Sequence, residues 1–273
     1  MSQLKQPRFV FLHIPKTGGM TLRHVIYKQF QGAKSLTIKK ALETPKFLER
    51  SVEDRHKLGL IIGHFRFSNE FTFRDETNYF TMLRDPKKRV LSHYNYLYFR
   101  TRHPFFEKMT SKNYSIHDML TQGHVLNFDN CMVRFLSGNV FKEFGTINQQ
   151  DYEKAIKNFD KYFHHFGINE YFNESILILH YELNWKFPYY AQINTTDKKK
   201  INSIEGEETL AALAKCTQFD QMLYDYALQK FKLKLELYRE TLEKDLIRLK
   251  KGNQRFRFFL KLHYFLNREK VNG

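Results

Sequence analysis

Lys16, Thr17, Gly18, Gly19 and Thr21 stand directly behind a short apolar run, Phe9-Val10-Phe11-Leu12-His13-Ile14. Residues of those types in that order suit one task, the holding of a phosphate-like anion. Glycines let backbone N–H groups approach an anion closely, and the start of a helix adds its dipole. Lys16 supplies a full charge, and Thr17 and Thr21 supply hydroxyls. A Walker A loop places its lysine after the glycines. Here Lys16 and Thr17 precede Gly18 and Gly19, so the loop is of a different kind.

A second constellation lies further on, in Phe80-Thr81-Met82-Leu83-Arg84-Asp85-Pro86, where Ser92 follows Arg84 by eight residues. A guanidinium fork can hold a phosphate in bidentate fashion, and a nearby hydroxyl adds a further bond. A third candidate is His64, behind Leu60-Ile61-Ile62-Gly63. Histidine is the side chain most readily used as a general base near neutral pH. The chain has twelve histidines, so position has to decide. His64 closes an apolar run, whereas His13 sits inside one and reads as a packed residue. His93 and His124 are weaker candidates, and Asp129 or Glu70 could act as base instead.

Short apolar runs alternating with helical periodicity predict a parallel sheet with crossover helices. Expected strands are Phe9–Ile14, Leu58–Ile62, Tyr79–Leu83 and Phe163–Ile168. Expected helices begin at Met20, with Leu22, Val25, Ile26 and Phe30 on one face, and at Pro86, with Asp85 as N-cap. Val90, Leu91, Tyr94 and Leu97 form the apolar face of the second. Glu174–Leu183 reads as another helix, and Phe219–Leu249 as one long amphipathic segment. In open α/β sheets ligands bind at the carboxyl ends of strands. Lys16-Thr17, Gly63-His64 and Arg84 all fall at such ends, so one crevice could collect them.

The two phosphate-type motifs resemble those of sulfotransferases that use 3′-phosphoadenosine 5′-phosphosulfate (PAPS). The nearest resemblance is to carbohydrate sulfotransferases related to the heparan sulfate 2-O- and 6-O-sulfotransferases. His13-Ile14-Pro15-Lys16-Thr17-Gly18-Gly19 resembles their 5′-phosphosulfate loop, and Leu83-Arg84-Asp85-Pro86 through Ser92 resembles their 3′-phosphate motif. Asn130…Arg134…Leu136…Gly138 and Gly167…Glu170…Phe172…Ser175 resemble two further family segments. The resemblance runs from about Phe9 to Asn194. It implies an α/β, P-loop-like three-layer sandwich with a central parallel sheet flanked by helices. It also implies sulfuryl transfer from PAPS to a hydroxyl, on a carbohydrate. Lys16, Thr17, Gly18, Gly19, Thr21, Arg84 and Ser92 would bind the donor, Lys16 would stabilise the leaving group, and His64 would be the base. Arg134 could reach the nucleotide or form a structural ion pair. No metal is called for.

At 273 residues, 42% hydrophobic and 16% aromatic, the chain can bury a sizeable core. A sulfotransferase domain over 1–235 and a basic helical extension over 236–273 are expected. Residues 241–273 hold nine Lys/Arg against three Asp/Glu, a net +6 of the total +16. Such charge implies anionic partners without naming them. The interleaved cations and aromatics of Lys250–Leu266 could touch an anionic membrane surface or a polyanionic acceptor, or pack on the domain. Two cysteines, at 131 and 216, make no zinc spacing or disulfide framework. No signal peptide or membrane span is recognisable, so the expected location is cytosolic. That fits a bacterial-type member, or a chain that has lost an anchor. Competing functions are an ATP-dependent kinase-like transferase and a basic nucleic-acid- or membrane-binding module with a decayed site. The missing G-x-x-x-x-G-K-[ST] argues against the first, and intact Lys16, Thr17, Arg84 and Ser92 against the second.

Overall fold

The structure is a computed structural model that describes residues 8–68, 77–101, 103–191 and 203–268. Its centre is a five-stranded, wholly parallel sheet. The strands are β1 (Arg8–Leu12), β2 (Ser35–Ile38), β3 (Leu60–Gly63), β4 (Thr77–Leu83) and β5 (His165–Ile168), in the order β2-β3-β1-β4-β5. The helices around it are α1 (Gly19–Gln29), α2 (Thr44–Leu48), α3 (Val52–His56), α4 (Pro86–Phe99), α5 (Phe106–Ser111), α6 (Ile116–Thr121), α7 (Cys131–Ser137), α8 (Gln149–Tyr162), α9 (Phe172–Glu182), α10 (Glu207–Leu237) and α11 (Arg239–Arg268).

Parallel strands are covered on both faces, which is why they read as unbroken apolar runs. Val10, Phe11 and Leu12 of β1 are completely buried, as are Leu60, Ile61 and Ile62 of β3. Each such side chain contributes about 1.5–3 kcal/mol of apolar transfer. The chain leaves β1 to build β2 and β3 on one side, then returns to build β4 and β5 on the other. β1 is therefore the point where strand order reverses, and a crevice opens beyond its carboxyl end.

Helix α4 follows its sequence signals. Asp85 accepts a hydrogen bond from the Lys88 backbone at 2.8 Å, and Pro86 opens the helix. Val90, Tyr94 and Leu97 sink into a second apolar cluster with Met109, Met119, Phe128 and Leu213. That packing turns the opposite stripe of α4 toward the crevice.

Two elements depart from expectation. β2 was not foreseen: it has four residues, lies at the sheet edge and buries only Ile38 fully, so it carries no apolar run. The single long C-terminal helix is broken at Tyr238, with no glycine or proline to announce it. The break lets α11 fold back along α9, where Tyr181 donates to Asp245 at 3.0 Å. Leu242 and Leu249 of α11 join the same core as the sheet strands, so the first half of the expected extension is packed on the domain.

Candidate active site

The loop behind β1 is held from within. The Thr17 hydroxyl donates to the carbonyl of Ile14 at 2.9 Å. Lys16 takes a left-handed conformation at φ 69° and Gly18 another at φ 87°. For lysine this costs about 1–2 kcal/mol, the kind of local strain that clusters at functional sites. Neither glycine has room for a side chain. A Cβ on Gly18 would stand 2.1 Å from Asn169 Oδ1, and one on Gly19 would stand 1.9 Å from His13 Nε2. α1 starts at Gly19, so its first N–H groups lack intrahelical acceptors and face the loop end of the helix.

Lys16 Nζ rests over the ring of Tyr96, 4.1 Å from its centroid. Burial, with Arg84 and Arg100 nearby, lowers the lysine to about 8. Arg84 donates from one terminal nitrogen to the Lys16 carbonyl at 3.0 Å, which ties the end of β4 to the loop behind β1. Its Nε is buried without a partner among the described residues. Burial also lowers the Arg84 guanidinium, partly offset by Glu170. Glu170 in turn accepts from the Asp85 backbone at 3.2 Å and from the Tyr224 hydroxyl at 3.1 Å. Ser92 lies one helical turn before Tyr96, on the same face of α4.

His64 is placed by the unforeseen strand. Its backbone N–H donates to Ile38 of β2 at 2.9 Å, and a Cβ on Gly63 would strike the same carbonyl at 1.9 Å. The His64 Nδ1 faces the carbonyl of His13 at 2.6 Å. A carbonyl only accepts, so Nδ1 carries the proton and Nε2 is left with a lone pair. Burial lowers the pKa of His64, which favours the neutral ring. The ring of His13 stacks on it at 4.3 Å. His93 is buried against Phe128, and its Nδ1 has no partner among the described residues.

These groups meet in one crevice of about 540 Å³. Lys16, Gly18, Gly19, Thr21, His64, Arg84 and Ser92 all line it, as the motif spacing predicts. So do three histidines, at 13, 64 and 93, and the cations Lys16, Arg84 and Arg100, but no Asp or Glu among the described residues. The Thr17 side chain is turned into its own loop.

Arg134 corrects the expectation that it reaches the nucleotide. It is fully buried away from the crevice, paired with the Asp129 carboxylate and donating to the backbone carbonyls of Asp129, Lys142 and Glu143. Asp129 is thereby spent as a base, and His124 bonds Gln122 at an exposed site. Glu70 lies outside the described residues. Sequence reasoning missed Tyr96 and Arg100, although the four-residue spacing from Ser92 places all three on one face. Among the described residues no cluster of His, Cys, Asp and Glu could hold a metal ion.

The galactose-3-O-sulfotransferase family model matches residues 2–261. The galactosylceramide sulfotransferases of Bos taurus and Homo sapiens are each 24% identical over 273 residues, and that of Mus musculus is 23% identical over 274. The alignments cover 92% of this chain and 64% of each relative, so the chain spans about two thirds of their length. The resemblance to carbohydrate sulfotransferases holds, with galactose-directed enzymes in place of the heparan sulfate ones. With a match over nearly its whole length, the chain belongs to the galactose-3-O-sulfotransferase family.

Proposed function

We propose that the protein transfers a sulfuryl group from PAPS to a sugar hydroxyl, with the 3-hydroxyl of a terminal galactose as acceptor. One observation carries this reading: a crevice at a helix N-terminus is lined by Lys16, Arg84 and Arg100, with no carboxylate among the described residues that line it. Cations drawn together repel one another, with only Arg84 partly offset by Glu170, and an anion of several charges relieves that repulsion. The donor fits the residues present. The unpartnered Arg84 Nε and the backbone of Gly18 and Gly19 on the crevice wall are what a phosphate cradle needs.

When bound, PAPS supplies an already activated sulfuryl group with 3′,5′-ADP as its leaving group. Lys16 and the first N–H groups of α1 would hold the 5′-phosphosulfate. Arg84 and Ser92 would hold the 3′-phosphate, the group that separates this nucleotide from ADP and ATP. Lys16 also neutralises charge developing on the departing oxygen, the main electrostatic demand of a loose, in-line transfer. His64 takes the acceptor proton on Nε2. The imidazolium so formed keeps its Nδ1 hydrogen on the His13 carbonyl, which supports the positive charge.

Calorimetric titration with 3′,5′-ADP, with 5′-ADP and ATP in parallel, tests the nucleotide half of this reading. Micromolar or tighter binding of 3′,5′-ADP alone, lost in Arg84→Ala, is the expected result. Equal binding of all three, or of none, removes the sulfotransferase reading. Transfer of labelled sulfate to galactosylceramide and to lactose tests the acceptor half.

A further inference from the structure

Resting on the sulfotransferase reading, we infer that Arg100, carried beside the ring of Tyr96, forms an acceptor subsite selecting glycans with an anionic group next to the sulfated sugar.

The argument follows one face of α4. Ser92, Tyr96 and Arg100 succeed each other every four residues, and all three line the crevice. At 1.5 Å rise per residue, Tyr96 stands about 6 Å and Arg100 about 12 Å along the helix from Ser92. Arg84 and Ser92 mark the 3′-phosphate end. Lys16, which would hold the group in transit, lies over Tyr96 in the middle. Arg100 comes one turn later, past Lys16. In-line transfer places the attacking oxygen on the side of the sulfur away from the leaving group. The end of the crevice beyond Lys16 is therefore where an acceptor enters.

Arg100 is poorly explained as a structural residue. It caps the end of α4, where a cation suits the helix dipole. That accounts for the charge but not for its position on the crevice wall. It makes no ion pair among the described residues, and its guanidinium stands 5.2 Å from the Tyr96 ring centroid. Tyr96 thus gathers two cations, Lys16 and Arg100, that repel one another. A second anion at the acceptor end would offset that repulsion, and an exposed guanidinium can receive a carboxylate or a sulfate in bidentate fashion.

The test reads binding before turnover, so it does not depend on guessing the acceptor hydroxyl. The protein saturated with 3′,5′-ADP is titrated with lactose, with lactose bearing a 6′-sulfate, and with a glucuronic acid–galactose disaccharide. The last two separate a sulfate from a carboxylate as the recognised anion. Wild type is expected to bind at least one charged sugar tenfold or more tighter than lactose. Arg100→Ala should cut that ratio to about twofold or less, and Arg100→Glu should invert it. The proposal is overturned if wild type shows no preference, if no sugar binds, or if the preference survives in Arg100→Ala. It is also overturned if Arg100→Ala weakens 3′,5′-ADP as much as the charged sugar, since the arginine then serves the donor. Failure of 3′,5′-ADP to bind wild type sinks the sulfotransferase reading as well, whereas a lost preference with nucleotide binding intact sinks this inference alone.

Discussion

The Nδ1 of His64 lies 2.6 Å from the main-chain oxygen of His13, and this one bond decides which nitrogen can act as base. Because the bond uses a backbone carbonyl, no substitution of the His13 side chain removes it. His64→Ala is expected to abolish sulfuryl transfer while leaving 3′,5′-ADP affinity within a few-fold of wild type. His64→Asn can still donate to the His13 carbonyl but has no proton acceptor in place of Nε2. Its turnover should fall by about 10²–10⁴, the usual contribution of a general base. Single-turnover transfer from labelled PAPS measures both. Normal turnover in His64→Asn would move the base elsewhere.

The pH dependence of kcat/KM should be bell-shaped. Burial lowers His64 below its ordinary value of 6.5, so the active neutral ring persists into mildly acidic solution and the acid limb lies below that value. Burial and the neighbouring Arg84 and Arg100 lower Lys16 to about 8, so the free enzyme loses this charge as the pH rises through that value. Anion binding favours the charged lysine, so 3′,5′-ADP binding above pH 8 takes up a proton and weakens with rising pH. Lys16→Arg should shift the alkaline limb upward, since arginine stays protonated. An unmoved alkaline limb in that variant would assign it to another group.

The crevice wall depends on a buried network behind it. Arg89, one turn before Ser92 on α4, is fully buried with its Nε 3.9 Å from Asp220 of α10. Asp220 also caps α7, accepting from the backbone of Met132 at 3.1 Å and of Val133 at 2.9 Å. Burial pushes its carboxyl up to about 6 against the pull of Arg89. Asp220→Ala leaves the guanidinium buried without its counter-charge and uncaps α7. Breaking such a pair costs about 3–5 kcal/mol. Chemical denaturation should show a loss of that size, and a change under about 1 kcal/mol would mean that Arg89 relaxes toward water.

That Lys16, His64, Arg84 and Ser92 share one crevice could be read before any coordinates, because the parts of this candidate site hang on strong local signals. An apolar run ending in Lys16-Thr17-Gly18-Gly19, and Asp85-Pro86 opening a helix behind Arg84, each carry their own geometry. What escaped reading depends on contacts distant in sequence. β2 has no apolar run, yet its Ile38 carbonyl receives the His64 backbone. The break at Tyr238 follows from packing of α11 on α9 rather than from a helix-breaking residue. Arg134 matched a motif position, but the fold spends its guanidinium on Asp129 and on the chain around Lys142 and Glu143. A motif identifies the residue type, whereas burial decides which way it faces.

Gly19 links the candidate phosphate loop to the proposed base more tightly than its small size suggests. A methyl group there would overlap the His13 ring, with Nε2 only 1.9 Å from the added carbon. The His13 ring is buried and stacked on His64 at 4.3 Å, so a displacement of the one is felt by the other. Helix propensity alone favours alanine over glycine, so a purely local view expects Gly19→Ala to be neutral or stabilising. The packing view expects the reverse for function: lower kcat through a displaced His64, with a smaller change in 3′,5′-ADP affinity. Gly19→Ala combined with His13→Ala removes the overlap and should recover part of the lost kcat. If the double variant is no better than Gly19→Ala alone, the defect lies in the phosphate cradle itself and the coupling through His13 is absent.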